Sequence, residues 1–141
     1  MRAIIQRVTR GYVHIEGEDS RGFSGPGVVV LLGVTHGDGQ AQVDKVVRKI
    51  AELRLFEDET SVTDRGAPVL LVSQFTLYGN TRKGRRPSWS GAAPGPVAQP
   101  LYEQVVAGLR DRGLTVYTGT FGAMMRIEMV NDGPFTLLVE A

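Results

Sequence analysis

The alternation of apolar and polar positions divides the chain into short strand-like runs and two helical stretches. Residues 27–34 (GVVVLLGV) form the most apolar run and predict a central strand. Valine, isoleucine and leucine recur at helical spacing over residues 40–54, which predicts a first amphipathic helix. Leu101, Val105 and Leu109 predict a second helix that ends at Gly113. Sheet and helix are therefore both expected.

Shorter alternating runs complete the pattern. Residues 2–9, 12–15, 114–121 and 123–130 alternate as strands, and Met125 and Met129, which share one face of the last run, are typical core filler. A Pro- and Gly-rich stretch over 88–100, which contains Trp89, predicts an irregular loop. Asn-Asp-Gly-Pro at 131–134 predicts a turn before a final strand. Seven or eight strands and two main amphipathic helices predict an α+β fold with a mixed sheet or a barrel-like core.

The composition limits the class of protein. A length of 141 residues, 42% hydrophobic and 22% charged, predicts one globular domain over residues 1–141. The net charge of +1 gives no global attraction to nucleic acid, and the absence of cysteine excludes disulfides and thiolate chemistry. The N-terminus lacks the apolar core of a signal peptide, and no apolar run approaches the roughly 18 residues of a membrane span. We expect a soluble, cytoplasmic protein without a membrane partner.

The stretch 68–88 carries the candidate chemistry. An apolar run at 69–72 predicts a strand that is buried on both faces. Ser73, Gln74 and Thr76 follow, interleaved with Phe75 and Leu77, so that hydrogen-bonding side chains meet the end of a rigid core strand. This arrangement predicts a small reactive site.

A dense group of cations follows that site. It consists of Arg82, Lys83, Arg85 and Arg86. Because the whole chain is nearly neutral, this local cluster predicts a phosphate-binding arm, although a simple solvated loop has the same pattern. Arg7, inside the first strand, has two interpretations as well: an exposed edge residue, or a donor fork that orients a nearby carbonyl.

Several routes to hydrolysis do not fit the residues. Clustered His, Cys or carboxylate ligands at metal-binding spacing are missing, so no metal site is expected. Ser73 is not flanked by the glycines of a nucleophile elbow, and neither Ser73 nor Thr76 has an evident partner base. An enzyme that works mainly by backbone dipoles and substrate positioning remains.

Longer segments resemble the D-aminoacyl-tRNA deacylases, of the D-tyrosyl-tRNA deacylase type, from end to end. The resemblance rests on MRAIIQRVTRGYV at the start, LLGVTHGD, SQFTL at 73–77 and NDGPFT at 131–136. It implies a cytoplasmic homodimer without a cofactor that cleaves the ester between a D-amino acid and the terminal adenosine of tRNA, a form of chiral proofreading. Ser73, Gln74, Phe75 and Thr76 would line the catalytic pocket with Met125, while the RNA 2′-hydroxyl and backbone groups supply most of the catalysis.

The resemblance also implies a role for Gly133 and Pro134. Their peptide bond would be cis, and the pair would reach into the partner's site, where a wall of carbonyls excludes L side chains. Glycine lacks a side chain, so glycyl-tRNA, including tRNA-Ala mischarged with glycine, is an expected second substrate. Arg7 is the candidate for orienting this pair.

Two departures and two alternatives accompany the resemblance. Residues 60–68 are shorter than in many members and lack their Lys-Met-Asn-x-Ser segment, and Phe135 stands where a smaller aliphatic residue is common. The chain could instead be an RNA-binding module without catalysis that uses the cations and Trp89. It could also hydrolyse small D-configured esters or peptides, which would not need the basic loop.

Overall fold

The apolar runs pair into one open sheet of five strands, and the computed structural model describes all 141 residues. The helices and strands, in chain order, are β1 (Arg2–His14), β2 (Arg21–Gly33), α1 (Gln40–Glu52), β3 (Arg54–Phe56), β4 (Thr60–Ser61), α2 (Val62–Arg65), β5 (Val69–Ser73), α3 (Gly95–Asp111), β6 (Val116–Thr118) and β7 (Arg126–Glu140). Two 3-10 turns lie at Glu57–Glu59 and Phe75–Tyr78. The predicted α+β class is confirmed.

The sheet is mixed. Its order is β6-β5-β2-β1-β7, with β2, β5 and β6 parallel and β1 antiparallel to both of its neighbours. β6 and β7 form free edges, so the sheet is not a closed barrel. The predicted central strand is indeed the middle one, and the run at 69–72 is buried on both faces as expected.

The main core lies between one face of the sheet and the two long helices. Sheet residues Ile5, Val30 and Leu71 belong to the same buried cluster as Ile50 of α1 and Leu109 of α3. The opposite face has its own smaller cluster around Val29 and other strand residues, with no helix residue among its members. Successive strand residues thus point to opposite faces of the sheet and contribute to two separate apolar layers. No helix is long and apolar enough to cross a bilayer.

Helix α3 begins earlier than its sequence suggests. The prediction of an irregular loop through residue 100 is wrong from Gly95 onward, and Pro100 lies inside the helix. Buried Ala98 extends the apolar face of Leu101 and Tyr102 by one turn towards the N-terminus. Burial of that face offsets the single backbone hydrogen bond that Pro100 cannot donate.

The predicted turn at 131–134 is also wrong, because β7 passes through it without reversing direction. Val8 of β1 pairs with Asn131, and Gln6 pairs with Thr136. Two steps along β1 therefore match five steps along β7, so three extra residues bulge out of the strand. We call residues 132–135 the β7 bulge.

Candidate functional site

The candidate site lies where the parallel strands end. Because β2, β5 and β6 run in the same direction, their carboxyl ends meet at one edge of the sheet, a usual place for ligands in such sheets. A cavity of about 630 Å³ opens there, within the size range of small-molecule pockets. Its walls come from the ends of β2 and β5, the N-terminal half of α3 and the loop at 121–125 that follows β6.

The polar motif reaches this pocket by leaving the strand. β5 ends at Ser73, the Gln74 amide donates to the Leu32 carbonyl at 2.7 Å, and a 3-10 turn follows. The interleaving of polar and apolar residues over 73–77 is typical of a continuing strand, and the structure shows that this interpretation is wrong. Alternation would send neighbours to opposite faces, whereas the turn lets Ser73, Gln74, Phe75 and Thr76 all line one cavity. The Gln74 Nε2 group also donates to the Thr76 hydroxyl.

The opposite wall is the loop after β6, which carries Met125. A Cβ atom on Gly119 would lie 2.2 Å from the Met125 sulfur, so a larger residue there would displace the Met125 side chain from this position. Thr120 donates to Glu18 at 2.9 Å and accepts from Arg21 at 3.0 Å. These bonds tie the start of the loop to the segment before β2, which fixes one side of the pocket.

Aromatic side chains stand at the mouth of the pocket. Phe75 and Trp89 pack edge to face with ring centroids 5.6 Å apart, yet they remain 55% and 45% exposed. Met124, on the facing loop, is 92% exposed. The rim of the pocket is thus apolar and open.

The pocket interior carries no charge. Its lining contains no Asp, Glu, His, Lys or Arg, and Tyr102 is its one ionisable residue. Desolvation by burial raises the pKa of Tyr102 to about 12, and its hydroxyl donates to the Leu71 carbonyl at 2.8 Å. Tyr102 is therefore a neutral structural residue at physiological pH. No group of three or more His, Cys, Asp or Glu side chains is placed to hold a metal ion.

The cationic residues lie in a loop beside the mouth. A β-bridge closes the loop at its base, with the amides and carbonyls of Asn80 and Ser88 exchanging bonds of 2.7 and 3.1 Å. All four cations are exposed, and none of their side chains forms an ion pair or a hydrogen bond. None lines the pocket itself, although Trp89 follows the loop directly. The four cationic residues of this loop are Arg82, Lys83, Arg85 and Arg86.

Arg7 holds the β7 bulge from the neighbouring strand. Its guanidinium donates to the carbonyls of Asp132 at 3.2 Å, Gly133 at 3.1 Å and Leu55 at 2.7 Å. It also lies 4.3 Å from the centroid of the Phe135 ring. The side chain is only 13% exposed, so it is a donor fork and not a solvated edge residue.

The bulge and the pocket are separate within one chain. Gly133 and Pro134 are exposed and joined by a cis peptide bond, and neither lines the pocket. Arg7 does not line it either. The structure therefore brings Met125 together with the motif at 73–76, but leaves the bulge and the cationic loop outside the cavity.

Sequence reasoning missed part of the pocket wall. Ala93, Ala98, Tyr102 and Phe121 line the pocket, and their local sequence carries no signal for a site. Their contribution depends on how α3 and the loop after β6 pack over the strand ends, which local patterns do not reveal.

Comparison with known proteins gives consistent results. The family model described as D-Tyr-tRNA(Tyr) deacylase matches residues 4–140. Proteins named D-aminoacyl-tRNA deacylase from Kineococcus radiotolerans and Beutenbergia cavernae are 60% and 56% identical over 141 residues, with full coverage of both chains.

Two solved structures share the fold over nearly the whole chain. One, described as "c-Myc DNA Unwinding Element Binding Protein", superposes with a TM-score of 0.88 at 39% identity, covering 100% of this chain and 99% of that one. Another, described as a probable eukaryotic D-amino acid tRNA deacylase, shares the fold with a TM-score of 0.82 at 18% identity, with 98% and 97% coverage. Because the family model covers nearly the whole chain and the relatives align over their full length, this chain belongs to the D-Tyr-tRNA(Tyr) deacylase family.

Proposed function

We propose that this protein is a D-aminoacyl-tRNA deacylase, which hydrolyses the ester between a D-amino acid and the 3′ end of tRNA. Family membership and the names of the full-length relatives support this activity. The observation that carries the proposal is the neutral pocket of about 630 Å³, into which the turn after β5 directs the whole motif at 73–76. A cavity of that size accommodates an aminoacyl group together with part of a nucleoside.

The chemistry assigned to this pocket depends on positioning and on backbone donors. Phe75 and Thr76 begin a 3-10 turn, and amides at the start of a helical turn have no acceptor within it. Such amides can stabilise the oxyanion that forms as water adds to the ester carbonyl. The leaving 3′-oxygen takes a proton, and tRNA and a free amino acid result. Since the Thr76 hydroxyl accepts from Gln74 and has no base beside it, it is assigned to binding and not to nucleophilic attack.

A second copy of the chain is proposed to complete the site. Ile4 pairs across the sheet with Leu31 and with Leu138, so the three form an apolar row on the face that carries no helix. Leu138 is 56% exposed there. In the next row, the buried Oε1 atom of Gln6 has no hydrogen-bond partner within the chain. An exposed apolar row beside an unsatisfied polar atom suits an isologous dimer contact.

The β7 bulge is the element that this second copy is proposed to contribute. It is exposed, held rigidly by Arg7, and outside the pocket of its own chain. Placed over the partner's pocket mouth, its carbonyls would leave no volume for a side chain on the L face of the substrate. A D-aminoacyl group would fit, and a glycyl group would fit as well. Glycyl-tRNA, including tRNA-Ala mischarged with glycine, is thus the proposed second substrate.

The direct test is an ester-survival assay. The protein is incubated with D-tyrosyl-, L-tyrosyl- and glycyl-tRNA, and the remaining ester is measured with time. We expect the D-tyrosyl and glycyl esters to be cleaved and the L-tyrosyl ester to survive. If none of the three esters is lost, the enzymatic proposal is wrong.

Subunit mixing tests the contribution of the partner. A pocket variant, Gln74→Ala, should lose most activity, and a bulge variant, Pro134→Ala, should cleave the L-tyrosyl ester as well as the D-tyrosyl ester. In an equal mixture of the two after exchange, about half of the Pro134→Ala chains lie in heterodimers, where their intact pocket faces a wild-type bulge, so L-ester cleavage per Pro134→Ala chain should fall about twofold for a two-fold dimer. If the bulge acts on its own chain's pocket, mixing leaves L-ester cleavage unchanged. Sedimentation velocity provides the matching control for dimer formation.

One other function has a specific observation in its favour. The four unpaired cations beside the pocket suit nucleic-acid binding without catalysis, and one structural relative is described as a DNA-element binding protein. The ester-survival assay decides between the two proposals. D-Tyrosine ethyl ester, used in parallel, tests the further alternative of a hydrolase for small D-configured esters: equal kcat/KM for the ethyl ester and for the tRNA ester would favour it.

A further inference from the structure

We propose that Trp89 is a stacking platform for a nucleobase in the single-stranded 3′ end of tRNA. This inference rests on the proposed function, since it assigns a binding role at the mouth of the same pocket. It concerns a residue outside the motif at 73–77, with its own geometric basis.

The Trp89 ring is held in place while much of it remains exposed. Phe75 packs against it at an interplanar angle of 77°, with the ring centroids 5.6 Å apart. From another direction, Gly79 lies so close that a Cβ atom there would be 2.7 Å from the indole Cζ3 atom. The β-bridge between Asn80 and Ser88 fixes the backbone immediately before Trp89. A ring fixed from these sides, yet 45% exposed, is preorganised to stack on a planar partner.

The charge beside the ring indicates the class of that partner. The loop closed by the Asn80–Ser88 bridge carries four cations within five positions, with no acidic group paired to any of them. An aromatic platform next to a cationic backbone path is the usual arrangement for single-stranded nucleic acid. A flat hydrophobic ligand without phosphates would not need the cations. The combination therefore selects a strand of nucleotides.

The position of the ring indicates which part of the strand it meets. Trp89 and Phe75 line the pocket at its open end, whereas Tyr102 and Ala98 lie deeper on α3. An aminoacyl group inside the cavity would leave its nucleoside at the mouth, within reach of the indole. Stacking tolerates any base, so this platform would add affinity for the 3′ end without reading the tRNA sequence.

Fluorescence gives a direct readout, because Trp89 is the one tryptophan in the chain. Wild-type protein is titrated with the RNA tetranucleotide ACCA and with a matched ACC oligonucleotide that ends in an abasic sugar phosphate. Stacking of the terminal base predicts strong quenching by the first and little by the second. Equal quenching by both, or none by either, would overturn the proposal.

Variants connect the stacking to turnover. Trp89→Ala should lower kcat/KM for D-tyrosyl-tRNA roughly 5- to 150-fold, mainly through KM, because the stacking of one base is lost. Trp89→Phe keeps an aromatic face and should retain most activity, whereas Trp89→Leu keeps the apolar bulk and should not. Unchanged KM in the Ala and Leu variants would contradict the assignment. Circular dichroism and Tm check that the variants are folded.

The two proposals fail in different ways. If wild-type protein cleaves no D-aminoacyl-tRNA, but ACCA quenches Trp89 more than the abasic oligonucleotide does, the deacylase proposal is wrong and the stacking proposal is supported. If D-aminoacyl-tRNA is cleaved, but both oligonucleotides quench Trp89 equally, the stacking proposal is wrong and the deacylase proposal is supported.

Discussion

Replacement of Arg7 by alanine should release the β7 bulge, and the size of the effect follows from its contacts. The bond to the Leu55 carbonyl is short and leads to a residue whose side chain is buried. The bonds to Asp132 and Gly133 are longer and exposed, and the ion pair with Asp132 is half exposed, so these contacts deserve a lower weight. A hydrogen bond to a charged group contributes about 1.5–3 kcal/mol, which puts the total loss of stability at about 3 kcal/mol.

Two measurements follow from that figure. For a domain of this size, about 3 kcal/mol lowers Tm by roughly 10 °C, which differential scanning calorimetry resolves easily. In the deacylation assay, the displaced bulge should lower the ratio of D-tyrosyl to L-tyrosyl kcat/KM about tenfold to a hundredfold, since misplacement by about 1 Å has effects of that order. Arg7→Lys should be intermediate in both, because one ammonium group cannot serve three carbonyls.

Asp132→Asn is the matched control. It removes the half-exposed ion pair but keeps the backbone carbonyls that Arg7 binds, so stability should change by less than about 1 kcal/mol and discrimination should persist. The reasoning is refuted if Arg7→Ala unfolds at the wild-type temperature. It is refuted equally if Arg7→Ala loses stability yet rejects the L-ester as well as the wild type does.

Three further predictions concern other parts of the molecule. Replacement of the four loop cations by alanine should weaken tRNA binding and flatten its dependence on salt concentration. The replaced residues are Arg82, Lys83, Arg85 and Arg86. An unchanged salt dependence would exclude phosphate contacts. Thr76→Ala should retain substantial deacylation, whereas an aminoacyl-enzyme trapped on Thr76 and detected by mass spectrometry would show that it is the nucleophile. Burial raises the pKa of Tyr102 to about 12, so this tyrosine stabilises the fold fully below pH 10 and progressively less as the pH rises towards 12. The free energy of unfolding of Tyr102→Phe should therefore fall less than that of the wild type between pH 10 and pH 12. Urea titrations at pH 8 and pH 11 measure this difference. An equal fall in both proteins would contradict the prediction.

Local patterns were sufficient where burial alone determines the element. The run at 69–72 and the helix over Gln40–Glu52 have apolar residues at the spacing that their packing requires, so both were predictable from the sequence. Helix α3 shows the limit of this approach. Pro100 is a strong local signal against a helix interior, and burial of Ala98 and Leu101 against the core overrides it, whereas Pro96 lies in the first turn, where proline is tolerated.

Long-range pairing determined what the sequence could not reveal. Residues 131–134 have turn composition, but β1 pairs with β7 on both sides of them, so they bulge instead of reversing the chain. Likewise, the side-chain directions at 73–76 depend on the turn that begins after Ser73. That residues 73–76 lie together at the end of a core strand was thus predictable, whereas the shape of the pocket they line depends on contacts between residues far apart in sequence.

The uncharged pocket has a consequence for the way the reaction should depend on pH. Tyr102 is neutral at physiological pH and no other ionisable group lines the pocket, so the pocket of one chain contributes no acid or base that titrates near neutral pH. A bell-shaped rate profile requires such a pair. The pH profile of turnover should therefore belong to the substrate, through its ammonium group and the intrinsic alkaline lability of its ester. Cells that raise or lower their internal pH would change the rate of proofreading in step with the spontaneous decay of the same ester.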